Sequence, residues 1–466
     1  MSKIIKLEDG QLVAEDPDSG ERVPVSFETL EAEAVTTERV NSIRIVGLDQ
    51  NEVQDAIDEV GEEGGGLVWI TETGEADFDE VTITHDNVEV WGMGADTVLK
   101  GGADNYHIGI VGEENDYVKN CAIRHLRCEN GNVENIQLEW AEDCEVSHFW
   151  SGYAEGEHGD GVDLDDCFQC RMYQGVTYEN GQSGVHVSNG SEKCVVDSIY
   201  SYRDGVYQSG HASAVDARDG GPHSFSNIYA IEPRNYAVRL QSPDGDRLTN
   251  CFAIGTYDDT ASYHLRVNSK ATINGFYSIN HESADDEVIR FGSGSEGSKL
   301  VNSTVENPNG NLIRATERVG IFNNEFVGVP SNAEGVLLND GDGSQVSNNY
   351  IEGSDRAIES RVFEAEISGN VITGPTEYGI LVVGFDFDNN EQYFSPVVGN
   401  QISGGCEDAG IRVNRADACP VVGNSINDVT GLGVEDDGEN NSYVANTTDS
   451  GLDISAESED VGTIDV

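Results

Sequence analysis

One short pattern recurs along most of the chain and sets a period that few folds accommodate. A small or apolar residue precedes an apolar, polar, apolar triplet, as in GVDL at Gly161, GVHV at Gly184 and AVRL at Ala237. The middle residues of seven such triplets differ in number by 23, 30, 23, 27, 24 and 24, and they are Asp163, His186, Asp216, Arg239, Arg266, Arg290 and Arg314. A period of this length is typical of a solenoid, in which each repeat forms one coil.

A second pattern keeps the same period in the C-terminal half. The stretches NNEF, NNYI, GNVI, GNQI and GNSI place asparagines at intervals of 25, 21, 30 and 24, and these are Asn324, Asn349, Asn370, Asn400 and Asn424. Asparagine tolerates the left-handed backbone of a turn, and stacked asparagines can form an amide ladder. Leucine-rich repeats have a similar period, but their LxxLxLxxN signature is absent. We therefore expect an all-β, parallel β-helix with about 24 residues per coil.

Four of the nine cysteines also follow the coil period. Cys121, Cys144, Cys167 and Cys194 differ in number by 23, 23 and 27, and apolar residues follow each of them within two positions. Because cysteine packs as a small hydrophobe, we expect a buried column of thiols. Disulfides between neighbouring coils are the alternative. We expect no zinc site, because the CxxC of DCFQC has no second half.

The charge of the chain excludes some partners. Against 86 Asp and Glu stand only 26 Lys and Arg, which gives a formal net charge of -60. Molar salt shortens the Debye length to about 3 Å and makes such a density tolerable, so the composition indicates a halophile or a virus of one. Phosphate binding needs clustered basic residues, and we expect no nucleic acid partner. The start of the chain has no apolar signal segment, and no stretch approaches the roughly 18 apolar residues of a membrane span.

Two stretches near the start of the repeats carry a resemblance to a known superfamily. NEVQDAIDEVGEEGGGLVWITETG predicts a short helix with Val53, Ala56, Ile57 and Val60 on one face, followed by a strand at 67–70. Together with NVEVWGMGADTVLKGG and the coils that follow, it resembles the N-terminal signature of the pectate-lyase-like right-handed β-helix superfamily, which includes phage tailspikes and polysaccharide-degrading enzymes. The resemblance covers residues 50–446 and implies a right-handed coil whose open end the helix caps.

The resemblance and the composition together suggest three regions. Residues 1–48 are polar, acidic and without a period, and we interpret them as a segment for attachment to other virion proteins. Residues 49–446 form the expected parallel β-helix. Residues 447–466 are interpreted as an acidic tail.

The middle residues of the triplets form one outward column with two candidate functions. In a parallel coil they lie about 4.8 Å apart on successive turns. Four stacked arginines repel one another unless an anion neutralises them, and they are Arg239, Arg266, Arg290 and Arg314. They either pair with the chain's own carboxylates or form a groove for an acidic glycan, because guanidinium forks bind carboxylate and sulfate.

Upstream in the same column, the stretch HGDGVDLDDC suggests catalysis. Two outward carboxyl groups one or two coils apart have the separation that an inverting glycosidase needs, about 6.5–9.5 Å. The candidate catalytic residues are Asp160, Asp163, His186 and Asp216. GDG, DDC and SGHAS also resemble elements of the polygalacturonases, and that resemblance points to Asp160, Asp166 and His211. A calcium site of Asp160, Asp163 and Asp165 and plain salt adaptation are alternatives; we predict no resident metal and no cofactor.

These observations predict a virion spike or turret of a haloarchaeal virus that binds an acidic host-surface glycan. Assembly in the host cytoplasm and release into a high-salt medium would fit the missing signal segment, and the resemblance to tailspikes implies a homotrimer. A polysaccharide lyase or glycoside hydrolase acting on a uronate-rich glycan is the first alternative. A purely structural spike is the second.

Overall fold

The computed structural model describes residues 42–454 with short gaps, together with a few strands nearer the ends. The gaps are residues 103, 157, 207–212, 244, 258–262, 284–286 and 385–393. The chain divides into two units, Met1–Ile228 and Tyr229–Val466, which are described separately. Both are built of short parallel strands with about 24 residues per coil, which confirms the predicted right-handed parallel β-helix.

In the first unit, the outward column lies on a sheet that receives one strand from each coil, here called the column sheet. Its strands are Val81–Ile83, Ile108–Val111, Ile136–Glu139, Val162–Asp165, Ser183–Ser188 and Ser213–Arg218. Val162 and Leu164 are fully buried on either side of Asp163. The strand alternation therefore turns the apolar neighbours to one face and the triplet's middle residue to the other. The middle residues are nevertheless covered, because Asp163 is 6% exposed and Asp216 is fully buried.

The remaining strands of the first unit form the other walls of the coils. They are Ile43–Val46, Gly66–Ile70, Gly74–Asp77, Val88–Trp91, Thr97–Lys100, Val118–Lys119, Ala122–Arg124, Arg127–Glu129, Ala141–Glu142, Glu145–Ser147, Trp150–Gly152, Arg171–Tyr178, Val195–Tyr202 and Ser224–Ser226. Nearer the start, Lys3–Glu8 pairs antiparallel with Gln11–Glu15 and with Ile43–Val46, and Gln11–Glu15 pairs antiparallel with Arg22–Pro24. Most of the segment 1–48 lies outside the described residues, so its role stays a prediction.

The predicted helix is Gln50–Glu62, and it begins where Asp49 caps it. The Asp49 carboxylate accepts hydrogen bonds from the backbone N–H groups of Asn51 and Glu52, at 3.0 and 3.1 Å. The four predicted apolar residues are its buried face, and the helix packs against the first strands of the unit. It ends before Gly65, whose φ of +107° suits glycine. A short 3₁₀-helix spans Gly94–Asp96.

In the second unit the column sheet is longer. Its strands are Tyr236–Gln241, Tyr263–Val267, Ile289–Phe291, Ile313–Ala315, Glu334–Leu338, Arg356–Ser360, Tyr378–Val383, Ala409–Asn414, Leu432–Asp436 and Leu452–Asp453. The other strands are Tyr229–Ile231, Asp246–Ile254, Ala271–Ile279, Ser298–Val301, Thr304–Glu306, Val319–Phe322, Glu325–Val329, Gln345–Ser347, Tyr350–Gly353, Glu366–Ser368, Val371–Thr373, Val397–Val398, Gln401–Ser403, Pro420–Val422, Ser425–Asn427, Ser442–Val444, Thr447–Thr448, Glu459–Val461 and Ile464–Asp465. Parallel pairing thus continues beyond residue 446.

The periodic asparagines of the second unit form the amide ladder that their spacing suggests. The Asn370 carboxamide accepts from the backbone N–H and side chain of Asn349, both at 3.0 Å, and donates to Asn400 and Val346, both at 2.9 Å. The left-handed backbone lies one residue earlier than expected, at positions such as Asn348 (φ +56°) and Gly369 (φ +66°). The ladder asparagines point inward, where their amides serve the backbone of the next coil.

The nine cysteines are all buried and form no disulfide among the described residues, which agrees with the predicted thiol packing. The backbone N–H of Cys121 lies 3.3 Å from the sulfur of Cys144 in the next coil. The thiols therefore also accept weak hydrogen bonds from the turn of the preceding coil.

We expect the asparagine ladder to contribute strongly to stability. Asn370→Ala leaves the buried partners of four hydrogen bonds unsatisfied and should lower the free energy of unfolding by about 2–4 kcal/mol. Urea unfolding in molar salt measures this loss. The control is Asn427→Ala, because Asn427 is exposed and donates only to Ser425; equal effects of the two substitutions would contradict a special role for the ladder.

Candidate functional site

The first unit brings the predicted catalytic residues together on three adjacent strands of the column sheet. Asp163 lies opposite His186, and His186 lies opposite Asp216. Neighbouring strands are about 4.8 Å apart, so Asp163 and Asp216 are separated by about two spacings. The column therefore alternates acid, imidazole and acid, as the triplet spacing predicts.

His186 is held between two carboxylates. Its Nδ1 lies 3.0 Å from Oδ1 of Asp163 and 3.4 Å from Oδ2 of Asp160. The other oxygen of Asp160 accepts from the backbone N–H of Ser183 at 2.8 Å. Asp160 and Asp163 are 2% and 6% exposed. The two carboxylates therefore approach the same nitrogen of the imidazole, in a nearly closed environment.

Burial and charge act in opposite directions on these groups. Burial alone would lower the pKa of His186, but the charges and hydrogen bonds of Asp160 and Asp163 raise this pKa well above its ordinary value. Burial raises the pKa of Asp163, and the nearby His186 offsets part of that rise. Among the described residues, the buried Nε2 of His186 has no hydrogen-bond partner. His186 is thus an imidazolium with one N–H left for a ligand.

Asp216 is fully buried and paired with an arginine of its own strand. Arg218 donates from Nε and Nη2 to Oδ2 of Asp216, at 2.7 and 2.6 Å. Two nitrogens of the Arg218 guanidinium therefore hold the Asp216 carboxylate in place. Arg218 belongs to the site, although the triplet pattern alone did not select it.

Glu134 is the residue of the site that sequence reasoning missed. Glu134 comes two positions before Ile136, and Asp160 comes two positions before Val162. Ile136 and Val162 pair in register on neighbouring strands. Burial, followed by the charges of Asp163 and Asp160, raises the pKa of Glu134 to about 9. Glu134 therefore carries a proton at neutral pH, one coil away from Asp160. Counting one coil back from Asp160 would have identified it.

The other acids of HGDGVDLDDC are engaged locally. Burial raises the pKa of Asp165 to about 6, and Asp165 accepts a hydrogen bond from Asn189. Asp166 accepts from the backbone N–H of Gly190 at 3.0 Å. His211 lies outside the described residues. The predicted calcium site of Asp160, Asp163 and Asp165 differs from the cluster in the structure, which contains Asp160, Asp163 and His186.

A metal could be held by a different set of side chains. In the described part of the chain, Asp160, Asp163 and His186 are the one group of three or more His, Cys, Asp or Glu whose ligand atoms all lie within 4.8 Å of one another. The two carboxylates raise the pKa of His186, and this imidazole has to lose its proton before it can bind a metal ion. These side chains can donate and accept protons themselves, so the arrangement suits acid–base chemistry.

In the second unit, the four predicted arginines lie opposite one another in register. Arg239 is buried, whereas Arg314 keeps 37% of its side chain exposed. No helix among the described residues is long and apolar enough to cross a membrane.

The fold and the site define a parallel β-helix with a buried carboxylate–imidazolium cluster on one face. A family model described as periplasmic copper-binding protein (NosD) matches residues 267–461, which is less than half of the chain. In the described part of this range, no three His, Cys, Asp or Glu side chains bring their ligand atoms within 4.8 Å of one another. No curated protein matches the chain.

Several solved structures are similar to this chain at low identity. The catalytic domain of a GH87 alpha-1,3-glucanase in complex with nigerose is 12% identical, with a TM-score of 0.41, and the match covers 90% of this chain and 68% of that one. An alginate lyase from Paenibacillus sp. str. FPU-7 is 12% identical, with a TM-score of 0.39 and coverages of 79% and 99%. The A-module of the Azotobacter vinelandii mannuronan C-5 epimerase AlgE6 is 16% identical, with a TM-score of 0.34 and coverages of 87% and 95%. Likeness at this level does not identify a substrate.

We expect His186→Gln to destabilise the first unit because it leaves two buried carboxylates facing each other. Breaking a buried ion pair from one side typically costs about 3–5 kcal/mol. The raised pKa of His186 means that its contribution is fully present below its unfolded value of about 6.5 and is lost as the pH rises through the folded value.

Urea unfolding of both proteins from pH 6 to pH 10 tests this expectation. The difference between wild type and His186→Gln should be largest at the acidic end and shrink with rising pH. The exposed His158 provides the control substitution, His158→Gln. A difference that stays constant with pH would show that the imidazole is not charged in the folded protein.

Proposed function

We propose that the chain binds an acidic polysaccharide and cleaves its glycosidic bonds by acid–base chemistry at Glu134, Asp160, Asp163 and His186. The observation that carries this proposal is the protonated Glu134 one coil away from the Asp160 carboxylate. Carboxyl groups that neighbouring charges and burial hold in different protonation states are typical of glycosidases. Clusters of perturbed pKa values are also more frequent at functional sites than elsewhere.

The roles follow from the contacts of each group. Glu134 is only partly buried and can donate its proton to the glycosidic oxygen as the bond breaks. The Asp160 carboxylate, held by the Ser183 N–H, stabilises the positive charge that develops at the anomeric carbon. Water then adds to that carbon, and its proton returns to the carboxylate of Glu134. His186 fixes Asp160 and Asp163 and offers its Nε2–H to a sugar hydroxyl.

The acidic class of the substrate is supported by the second unit, where a column of arginines stands in a chain of net charge -60.

A glycan-binding role on a virion, without cleavage, is the second candidate. Its support is the acidic composition, the resemblance to tailspikes and the same arginine column. The trimeric state, the attachment through residues 1–48 and the haloviral origin belong to this proposal. In a purely structural spike, by contrast, the arginine column would be paired with the chain's own acids.

The decisive substitution is Glu134→Gln. Loss of the general acid should lower the rate of polysaccharide cleavage by about 10²–10⁴-fold. Stability should not fall, because the glutamine removes a carboxyl group whose ionisation burial opposes. The pKa of Glu134 is raised from 4.5 in the unfolded chain to about 9 in the folded protein. The stability that the protonated group permits is therefore fully present below pH 4.5 and is lost as the pH rises through about 9. New reducing ends released from uronate-rich and neutral polysaccharides in molar salt measure the rate.

The exposed Glu192 gives a matched control, Glu192→Gln, which should keep full activity. Wild-type activity should decline above a pH of about 9 as Glu134 loses its proton. Full activity of Glu134→Gln, or cleavage of no polymer in the panel, would refute the catalytic proposal.

A further inference from the structure

Three side chains at the centre of the first unit's cluster direct their ligand atoms at one small volume. Nδ1 of His186 lies 3.0 Å from Oδ1 of Asp163 and 3.4 Å from Oδ2 of Asp160, and the ligand atoms of the three residues all lie within 4.8 Å of one another. Ligands bound about 2.1 Å from one cation are about 3.0 Å apart at a right angle and about 3.4 Å apart at the tetrahedral angle. The two distances to Nδ1 are therefore those between neighbouring ligands of a single ion.

Hydrogen bonding does not use the inner oxygen of Asp163. Its Oδ1 is buried, and no group in the described part of the chain donates a well-directed hydrogen bond to it. The side chain of Asp163 is only 8% exposed, and Oδ1 faces Nδ1 of His186. A buried acceptor without a donor is unfavourable unless an ion or a ligand completes it. The carboxylate of Asp163 is thus buried, directed into the cluster and able to bind an ion.

Asp160 is held in position by a contact outside the cluster. Its Oδ1 accepts from the backbone N–H of Ser183 at 2.8 Å, while its Oδ2 is the oxygen that approaches His186. Hydrogen bonds of this kind orient metal ligands in proteins. The other ring nitrogen of His186, Nε2, has no hydrogen-bond partner among the described residues. An ion at Nδ1 would therefore leave the Nε2–H for the sugar hydroxyl of the proposed function.

The charges around the cluster also favour a cation. Burial raises the pKa values of Glu134 and Glu139, and the charge of Asp163 raises both of them further. The negative charge of Asp163 therefore still acts on its neighbours although His186 lies beside it. One imidazolium balances the charge of one carboxylate, whereas a divalent ion balances the charges of both Asp160 and Asp163. A bound divalent ion is commonly the largest local charge in such a site.

We propose that Asp160, Asp163 and His186 bind one divalent transition metal ion through two carboxylate oxygens and Nδ1 of the imidazole. One nitrogen and two oxygens suit Mn²⁺ or Zn²⁺, whereas Ca²⁺ and Mg²⁺ prefer oxygen ligands alone. The ion takes the place of the Nδ1 proton of His186, which is released to solvent. The inference goes beyond the proposed function and does not require cleavage. It revises the sequence-based prediction of no metal and replaces the calcium alternative that included Asp165.

The test is calorimetric titration of the chelator-treated full chain with MnCl₂ and, separately, with CaCl₂ at pH 8. Molar NaCl in the buffer screens the acidic surface, so that weak binding to exposed carboxylates is suppressed. One Mn²⁺ should bind per chain, more tightly than Ca²⁺. Asp163→Asn and His186→Gln should each weaken this binding by about 100-fold or more, because loss of a partner of a metal ligand alone typically costs about 10–100-fold.

Asp165→Asn is the matched control, because Asp165 lies on the same strand as Asp163 but outside the ligand set, and it should leave the affinity nearly unchanged. Pulsed electron paramagnetic resonance of the Mn²⁺-loaded wild type needs no variant to fold. With ¹⁵N-labelled histidine it should show coupling of Mn²⁺ to one imidazole nitrogen.

Weak binding at many sites, an equal loss with Asp165→Asn, Ca²⁺ binding as tight as that of Mn²⁺, or no nitrogen coupling would overturn the proposal. Specific Mn²⁺ binding by a chain that cleaves no polysaccharide would refute only the catalytic assignment. Cleavage by a chain that binds no Mn²⁺ would refute only the metal site.

Discussion

Stacking of parallel strands in register is the constraint from which the rest of this structure follows. Each side chain lies about 4.8 Å from its counterpart in the next coil. Side chains of one column must therefore be able to stand next to one another without clash or repulsion. Aliphatic residues and thiols satisfy this condition by packing. Asparagine satisfies it because its amide both donates and accepts, as the contacts of Asn370 to Asn349 and Asn400 show. Charged residues cannot satisfy it alone, because like charges repel along the column.

The two units meet this difficulty in different ways. In the first, opposite charges alternate, with His186 between Asp163 and Asp216 in register and Asp160 beside it. In the second, equal charges follow one another, and aromatic rings separate them. The first solution is nearly neutral and buried, and it shifts pKa values. The second places like charges in register on neighbouring strands. Alternating charges and like charges are therefore two outcomes of one stacking rule.

Much of the fold could be predicted from the sequence, because successive coils have similar lengths and the same residue pattern therefore recurs at a regular spacing. The triplets predicted the column sheet, and the NEVQDAIDEV stretch predicted the helix Gln50–Glu62 with its buried face. The register of Asp163, His186 and Asp216 followed from the same spacing. What the period could not show is contact across coils between positions that are not equivalent. Tyr263 reaches Arg290, and Asp160 reaches His186, through side-chain directions that no spacing encodes.

Glu134 was missed for a different reason. Its position could be counted, but 86 acidic residues make any single glutamate inconspicuous. Its pKa of about 9 arises mainly from burial and then from Asp163 and Asp160, and burial depends on the whole coil around it. Mobile salt ions screen exposed charges within about 3 Å at molar concentration, whereas buried groups are screened much less. The raised pKa of Glu134 therefore depends little on the salt around the protein, because burial is its largest cause, and a buried cluster is a place where such an acidic chain can keep electrostatic control of a proton.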